Sequence, residues 1–331
     1  MILQMAWLVA LGVLAPLSVS ATVIFSDNFE ANSAGDITCA TLESTNGYTF
    51  CREEPDRATN PSSISIAASI PGSNVPFPSG SRAMRVFSDG LTLQTDAGVL
   101  ISGSNNYMPA NAWWQVAMYV NNFGNEVTIA NTRPMKLFYP CNGEYPCQTN
   151  YFMIQTSVNT SYEPFNSNTL PVPSNGDMWL VARDNMQGTA NWAGASEPGN
   201  ADKLGQTSLS ERIRPNRWNI IRCHSDFTNT SSAKLDCWIG PKGSALTHVL
   251  RWHGGTTVQG YAFTWTIPQA RGHVQMFWPS TVPAGGTTGS RLYMYFDDFY
   301  LATSESDLPN YSGNPGGDVT PPVAPVGLRI Q

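Results

Sequence analysis

Residues 218–240 constrain the fold more than any other stretch of this chain. They read W-N-I-I-R-C-H-S-D-F-T-N-T-S-S-A-K-L-D-C-W-I-G, and Cys223 and Cys237 lie symmetrically about Thr230, in the middle of an Asn/Thr/Ser turn. Two strands paired across that turn bring the cysteines directly opposite each other, where a disulfide can close. Strand side chains alternate, so this register sorts all the others. Ile221, Cys223, Leu235, Cys237 and Ile239 take one face, which reads as a core face. Arg222, His224, Asp226, Lys234, Asp236 and Trp238 take the other, with His224 opposite Asp236 and Arg222 opposite Trp238. A face that mixes a cation, an imidazole, a carboxylate and an indole is either a solvated outer surface or the floor of a binding cleft.

The same alternation recurs along the chain. Residues 81–88, 111–123, 135–139, 151–156, 178–184, 261–267, 273–278 and 291–302 read as strands, and 91–101 as a weaker strand pair. In 111–123 the apolar face is Trp114, Val116, Met118 and Val120. Residues 31–80 read as irregular, and 185–210 as a long polar loop carrying Trp192. No convincing helical periodicity and no fixed repeat occur. Many alternating strands with two apolar faces and no helices predict an all-β protein, a β-sandwich of the jelly-roll kind with long loops. One such domain is expected over 22–303. From 304 to 331 the chain turns Ser-, Gly- and Pro-rich. It reads as a linker to a further module or as a tail that docks elsewhere.

Residues 1–21 are an apolar run ending in Val-Ser-Ala, which reads as a secretory signal peptide. Pro16 and the run's length disfavour a membrane anchor. An extracellular, membrane-free mature chain is therefore expected, as a monomer. The six cysteines agree, falling into the local pairs Cys39/Cys51, Cys141/Cys147 and Cys223/Cys237. None has zinc-ligand spacing with His partners. A net charge of −6 and a pI near 5.2 argue against nucleic acid as a partner.

No G-x-S-x-G, H-E-x-x-H or phosphate loop is present. Acids are scarce in the strands, which makes a pair of glycosidase carboxylates unpromising. The polar faces of the strands offer instead Arg85, Trp113, Gln115, Tyr119, Arg183, Arg222, His224, Trp238, His273, Gln275, Tyr293 and Tyr295. Gathered in one groove, these aromatic, Arg, Gln, His and Tyr side chains suit a lyase acting on a uronate polysaccharide. Arg and Gln would hold the substrate carboxylate and ease loss of the α-proton. His or Tyr would take the C5 proton, and Tyr would return one to the leaving oxygen. Arg222 and Gln275 are the expected carboxylate-binding pair, and His224 and Tyr293 the expected base and acid. Arg85, Trp113, Gln115, Tyr119, Arg183, Trp238, His273 and Tyr295 would line the substrate. No cofactor is expected for this chemistry. Asp27, Glu30, Asp297 and Asp298, near the ends of the first and last strands, offer oxygen ligands for a structural Ca²⁺. Turn capping by Asp and Asn is the alternative account of them.

F-S-D-N-F-E (25–30), S-R-A-M-R-V (81–86), W-N-I-I (218–221) and above all L-Y-M-Y-F-D-D-F-Y-L-A (292–302) resemble the concanavalin A-like lectin/glucanase superfamily. The resemblance is to secreted bacterial polysaccharide-lyase-like and laminin-G-like domains, over roughly 22–303. It implies the jelly roll and a polysaccharide partner. Jelly-roll alginate lyases carry an R-x-E-L strand, a Q-I-H or Q-V-H strand and a Y-F-K-x-G-x-Y strand. Here 81–86 lacks the Glu, His273-Val274-Gln275 reverses the order, and 294–299 lacks the Lys. A non-catalytic carbohydrate-binding or adhesion domain, and a structural matrix protein, are the alternatives. A buried Arg222/His224 face would favour the last.

Overall fold

A computed structural model describes residues 23–37, 41, 50–53, 64–88, 97–101, 111–121, 135–142, 152–157, 179–184, 191–194, 211–226, 228, 234–253, 257–258, 261–262, 272–278 and 292–311. For most of the smaller sheet the description is of backbone and register. The strands, numbered along the chain, form two main antiparallel sheets. The larger runs in the order β14 (Thr247–His253), β13 (Lys234–Pro241), β12 (Trp218–Asp226), β7 (Asn111–Asn121), β18 (Leu292–Ala302), β5 (Ala83–Ser88), β4 (Ile64–Ala67) and β2 (Gly35–Asp36). Strand β1 (Val23–Asp27) pairs with β18 outside that order. The smaller runs β11 (Asn191–Gly194), β10 (Trp179–Asp184), β9 (Phe152–Ser157), β8 (Met135–Asn142), β17 (Gly272–Trp278), β6 (Ala97–Ile101) and β3 (Phe50–Glu53). A two-stranded ribbon, β15 (Thr257–Val258) with β16 (Tyr261–Ala262), completes the set. This is the expected β-sandwich of the jelly-roll type.

The hairpin register is the one its cysteines dictate. Cys223 pairs with Cys237 through a disulfide, His224 stands opposite Asp236, and Arg222 opposite Trp238. The other two expected disulfides, Cys39–Cys51 and Cys141–Cys147, each have one member, Cys39 and Cys147, outside the described residues. Their partners are placed by backbone register alone: Cys51 lies in β3 opposite Val99, and Cys141 in β8 opposite His273. Cys223–Cys237 is thus the one expected disulfide that the described residues contain. Ile221, Cys223, Leu235, Cys237 and Ile239 are fully buried, as are Trp114, Val116, Met118 and Val120 of the neighbouring β7. Each such side chain contributes roughly 1.5–3 kcal/mol by leaving water. The short strands β2, β3 and β4 fall in the stretch expected to be irregular, and β11 in the expected long loop. Their brevity left no periodicity to read.

Two features depart from the alternation. Strand β7 is buried on both faces: Gln115, Ala117 and Tyr119 are as inaccessible as their apolar neighbours. The cause is an overlay. Residues 68–82 place Ile70 and Phe77 in a cluster with Tyr119, Trp218, Ile220 and Tyr295 on the outer side of the larger sheet. The chain after β18 does the same: from Ser304 it makes one 3-10 turn, Glu305–Asp307, and buries Leu308 and Tyr311. The segment expected to start a linker is thus packed against the sheet as far as Tyr311. The expected signal segment, 1–21, lies outside the described residues. Among the described residues no helix is long and apolar enough to cross a membrane.

Candidate functional site

The outer face of the larger sheet carries nine of the twelve expected site residues, and two cross-strand rows order them. Trp113, His224 and Asp236 form one row, and Gln115, Arg222, Trp238 and His248 the next. Trp113 stacks on His224 at 4.2 Å between centroids and on Trp238 at 5.7 Å, and Trp238 stacks on His248 at 4.9 Å. Interplanar angles of 11–22° make all three contacts near-parallel. At least one face of every ring is therefore covered by another ring, so this is a polar-edged aromatic pile rather than an open platform for a sugar.

His224 is half-buried, and its Nε2 lies 2.9 Å from Asn111 Oδ1. Burial lowers its pKa below the usual imidazole value, against the pull of the Asp226, Asp236 and Glu305 carboxylates. Although Asp236 faces His224 across the ladder, it bonds His248 instead, Nε2 to Oδ1 at 2.9 Å. His248 is not among the site residues expected from sequence. The turn P-K-G-S at 241–244 followed by the run T-H-V-L-R-W-H was the signal for a third strand.

Arg222 does not present an open guanidinium. Its Nε donates to Gln115 Oε1 at 2.8 Å, Nη2 to the Pro309 carbonyl at 3.0 Å and Nη1 to Glu305 Oε1 at 2.8 Å. Gln115 Nε2 donates to the same Pro309 carbonyl at 3.2 Å. This pair ties the C-terminal segment to the sheet, which sequence could not show because the partner segment has no pattern of its own.

Tyr119 and Tyr295 are fully buried in edge contact, and the Tyr119 hydroxyl donates to Ser73 Oγ at 3.1 Å. Burial raises both phenol pKa values. Arg85 donates to Ser65 Oγ at 2.8 Å with its guanidinium 5.8 Å from the Tyr293 ring centroid. Tyr293 packs against the cluster beneath 68–82.

The expected catalytic four do not share a sheet. Arg222, His224 and Tyr293 are in the larger one, whereas Gln275 is in β17 of the smaller. Arg183 (β10) and His273 (β17) also belong to the smaller sheet. Register places these three together. Ala182 pairs with Ile154, Ile154 with Phe138 and Phe138 with Met276, so those four share a face with the buried Leu180. Positions 183, 273 and 275 then share the opposite face. Trp192, opposite Arg183, and Tyr139, opposite Gln275, join them there; neither had been singled out as a site residue.

The four carboxylates expected to hold Ca²⁺ are each engaged in hydrogen bonds. Asp298 accepts from Ser79 Oγ at 2.6 Å and from the Tyr311 hydroxyl. Asp297 accepts from the Asp298 amide at 2.8 Å and the Ser79 amide at 3.4 Å. Glu30 accepts from the Ser81 amide and hydroxyl at 2.7 and 3.1 Å, and Asp27 caps the Phe29 amide at 2.7 Å. Burial raises the pKa of both Asp297 and Asp298, Asp297 well above the carboxylate range, and the charge of Asp298 adds to that rise. Among the described residues no group of three or more His, Cys, Asp or Glu is placed to hold a metal ion. The local bonds from the Phe29 and Asp298 amides are those that capping of turns by Asp and Asn supplies.

No protein-family model matches the chain. No curated protein matches it either. Solved structures do resemble it. An alginate lyase from Aplysia kurodai is 16% identical, with 85% of this chain and 99% of that one covered, at a TM-score of 0.48. An endo-β-1,4-glucuronan lyase from the fungus Trichoderma reesei is 12% identical over 87% and 98%, at 0.47. A β-glucanase catalytic domain from Podospora anserina is 10% identical over 88% and 100%, at 0.46.

Proposed function

We infer that the chain is a secreted, polysaccharide-active protein, and that its chemistry is β-elimination on a uronate polymer at the face of the smaller sheet bearing positions 183, 273 and 275. The observation that carries this reading is the register that gathers Arg183, His273, Gln275, Tyr139 and Trp192 onto that one face. The outer face of the larger sheet is the weaker alternative, since Arg222, Gln115, Tyr119 and Tyr295 are committed to holding segments of the chain itself.

In the proposed reaction Gln275 hydrogen-bonds the carboxylate of the reacting sugar, which lowers the cost of carbanion character at C5, and Arg183, across β9 and β8, pairs with the carboxylate of a neighbouring sugar. His273 takes the C5 proton, the C4–O bond breaks as the C4=C5 double bond forms, and Tyr139 protonates the departing oxygen. Trp192 supplies apolar surface for a sugar ring. This keeps the expected residue types and moves the base and acid from His224 and Tyr293 to His273 and Tyr139.

The test is incubation of the mature protein with alginate, glucuronan, pectate, ulvan and glycosaminoglycans, following the ultraviolet absorbance of unsaturated uronate ends. A rise on one polymer is the expected outcome. Silence on the whole panel, with retardation in an affinity gel containing one of the polymers, would replace the lyase with a carbohydrate-binding module.

A further inference from the structure

The segment after β18 leaves one corner of the larger sheet uncovered. A pocket of about 280 Å³ opens there between the sheet and the segment, lined by Ile220, Arg222, Trp238, Leu246, Glu305 and Tyr311 among others. Its volume falls just under the roughly 300–1,000 Å³ of small-molecule sites, enough for one ring rather than a chain. Leu246 packs over the buried Ile220 cluster and Ala245 is exposed beside it, so one wall is apolar.

The opposite wall carries a cation, Arg222, whose ion-pair partner among the described residues is the Glu305 carboxylate. The Arg222 side chain is only 14% exposed, and its Nε and Nη2 are held by an amide oxygen and a carbonyl. Nη1 meets Glu305, whose side chain is 54% exposed on a single 3-10 turn. A half-solvated ion pair is weak and readily exchanged. The guanidinium fork is preorganised by its two neutral partners, so another carboxylate can replace Glu305 without rearranging the sheet.

We propose that this pocket binds one carboxylate-bearing sugar ring, whose carboxylate displaces Glu305 from Arg222 Nη1 while its ring carbons lie against Leu246 and Ala245. It is a non-catalytic site on the opposite side of the sandwich from positions 183, 273 and 275, with Glu305 as its built-in competitor. It is independent of the lyase reading.

Titration calorimetry on the full chain, with glucuronate, glucuronamide, glucose and acetate as separate probes, tests it. Glucuronate should saturate the protein, and the two neutral sugars should not. Glu305→Gln should tighten glucuronate at least threefold by removing the competing charge. Ala245→Trp, at an exposed position on the pocket lining, should abolish binding with the melting temperature kept. Equal binding of glucuronamide, or a Glu305→Gln variant with unchanged or weaker affinity, would overturn the proposal. Acetate binding as tightly as glucuronate would do so too, leaving a bare anion site. If Ala245→Trp fails to fold, the Glu305→Gln comparison decides alone.

Discussion

Asp297 and Asp298 are adjacent carboxyl groups with no exposed surface, in a bulged part of β18 where Asp298 adopts a φ of 49°. An ionised carboxylate without water is costly unless hydrogen-bonded, and Ser79, Tyr311 and backbone amides supply those bonds. Tyr311→Phe should lower the unfolding free energy by about 1–3 kcal/mol, the usual cost of leaving a buried polar group short of a hydrogen bond, read from urea denaturation. The pH dependence has a definite sign. Both folded pKa values are raised, so the contribution of these groups is fully present below the unfolded value and is lost as pH rises through the folded one. Asp297→Asn mimics the protonated form. Its stability relative to wild type should therefore improve as pH rises from the unfolded carboxylate value to the raised folded one and then level off; a difference independent of pH would show that Asp297 is not held protonated.

The hairpin of β12 and β13 is the element most fully legible in the sequence. Cysteine spacing fixed where the turn falls, and period-two alternation then assigned every face correctly. The disulfide spans 14 residues, for which loop entropy alone predicts about 3 kcal/mol. Replacing both Cys223 and Cys237 by Ser should cost roughly that much in a denaturation midpoint comparison. The segment 304–311 is the opposite case. It has no periodicity, and what holds it is a set of contacts from Arg222, Gln115, Asp298 and the Gly243 amide, scattered along the chain. Nothing local in Ser304 to Tyr311 announces them. Deleting residues 304–331 should uncover Gln115 and Ile220 and leave Arg222 without its carboxylate. A melting temperature lower by several degrees and increased binding of a hydrophobic dye are expected. An unchanged melt would mean that the segment only rests on the sheet.

For the whole molecule, fold class was readable because alternation repeats in strand after strand, whereas the site was readable only in residue type. Strand order is a tertiary property. Nothing in the sequence says that β12 and β7 are neighbours while β17 belongs to the other sheet, so residues of two faces were gathered into one expected groove. The sandwich separates them. One side is covered in part by residues 68–82 and 304–311, and the other bears Arg183, His273 and Gln275 in register with Tyr139 and Trp192. The most direct test is turnover of a uronate polymer, followed by unsaturated-end absorbance, for His273→Ala, Gln275→Ala and His224→Ala. Loss of a general base typically costs about 10²–10⁴-fold. A drop of that size at His273 and a marked drop at Gln275, with His224→Ala near wild type, is the predicted result. Full activity in His273→Ala with loss in His224→Ala would contradict the assignment and return the chemistry to the face under the C-terminal segment.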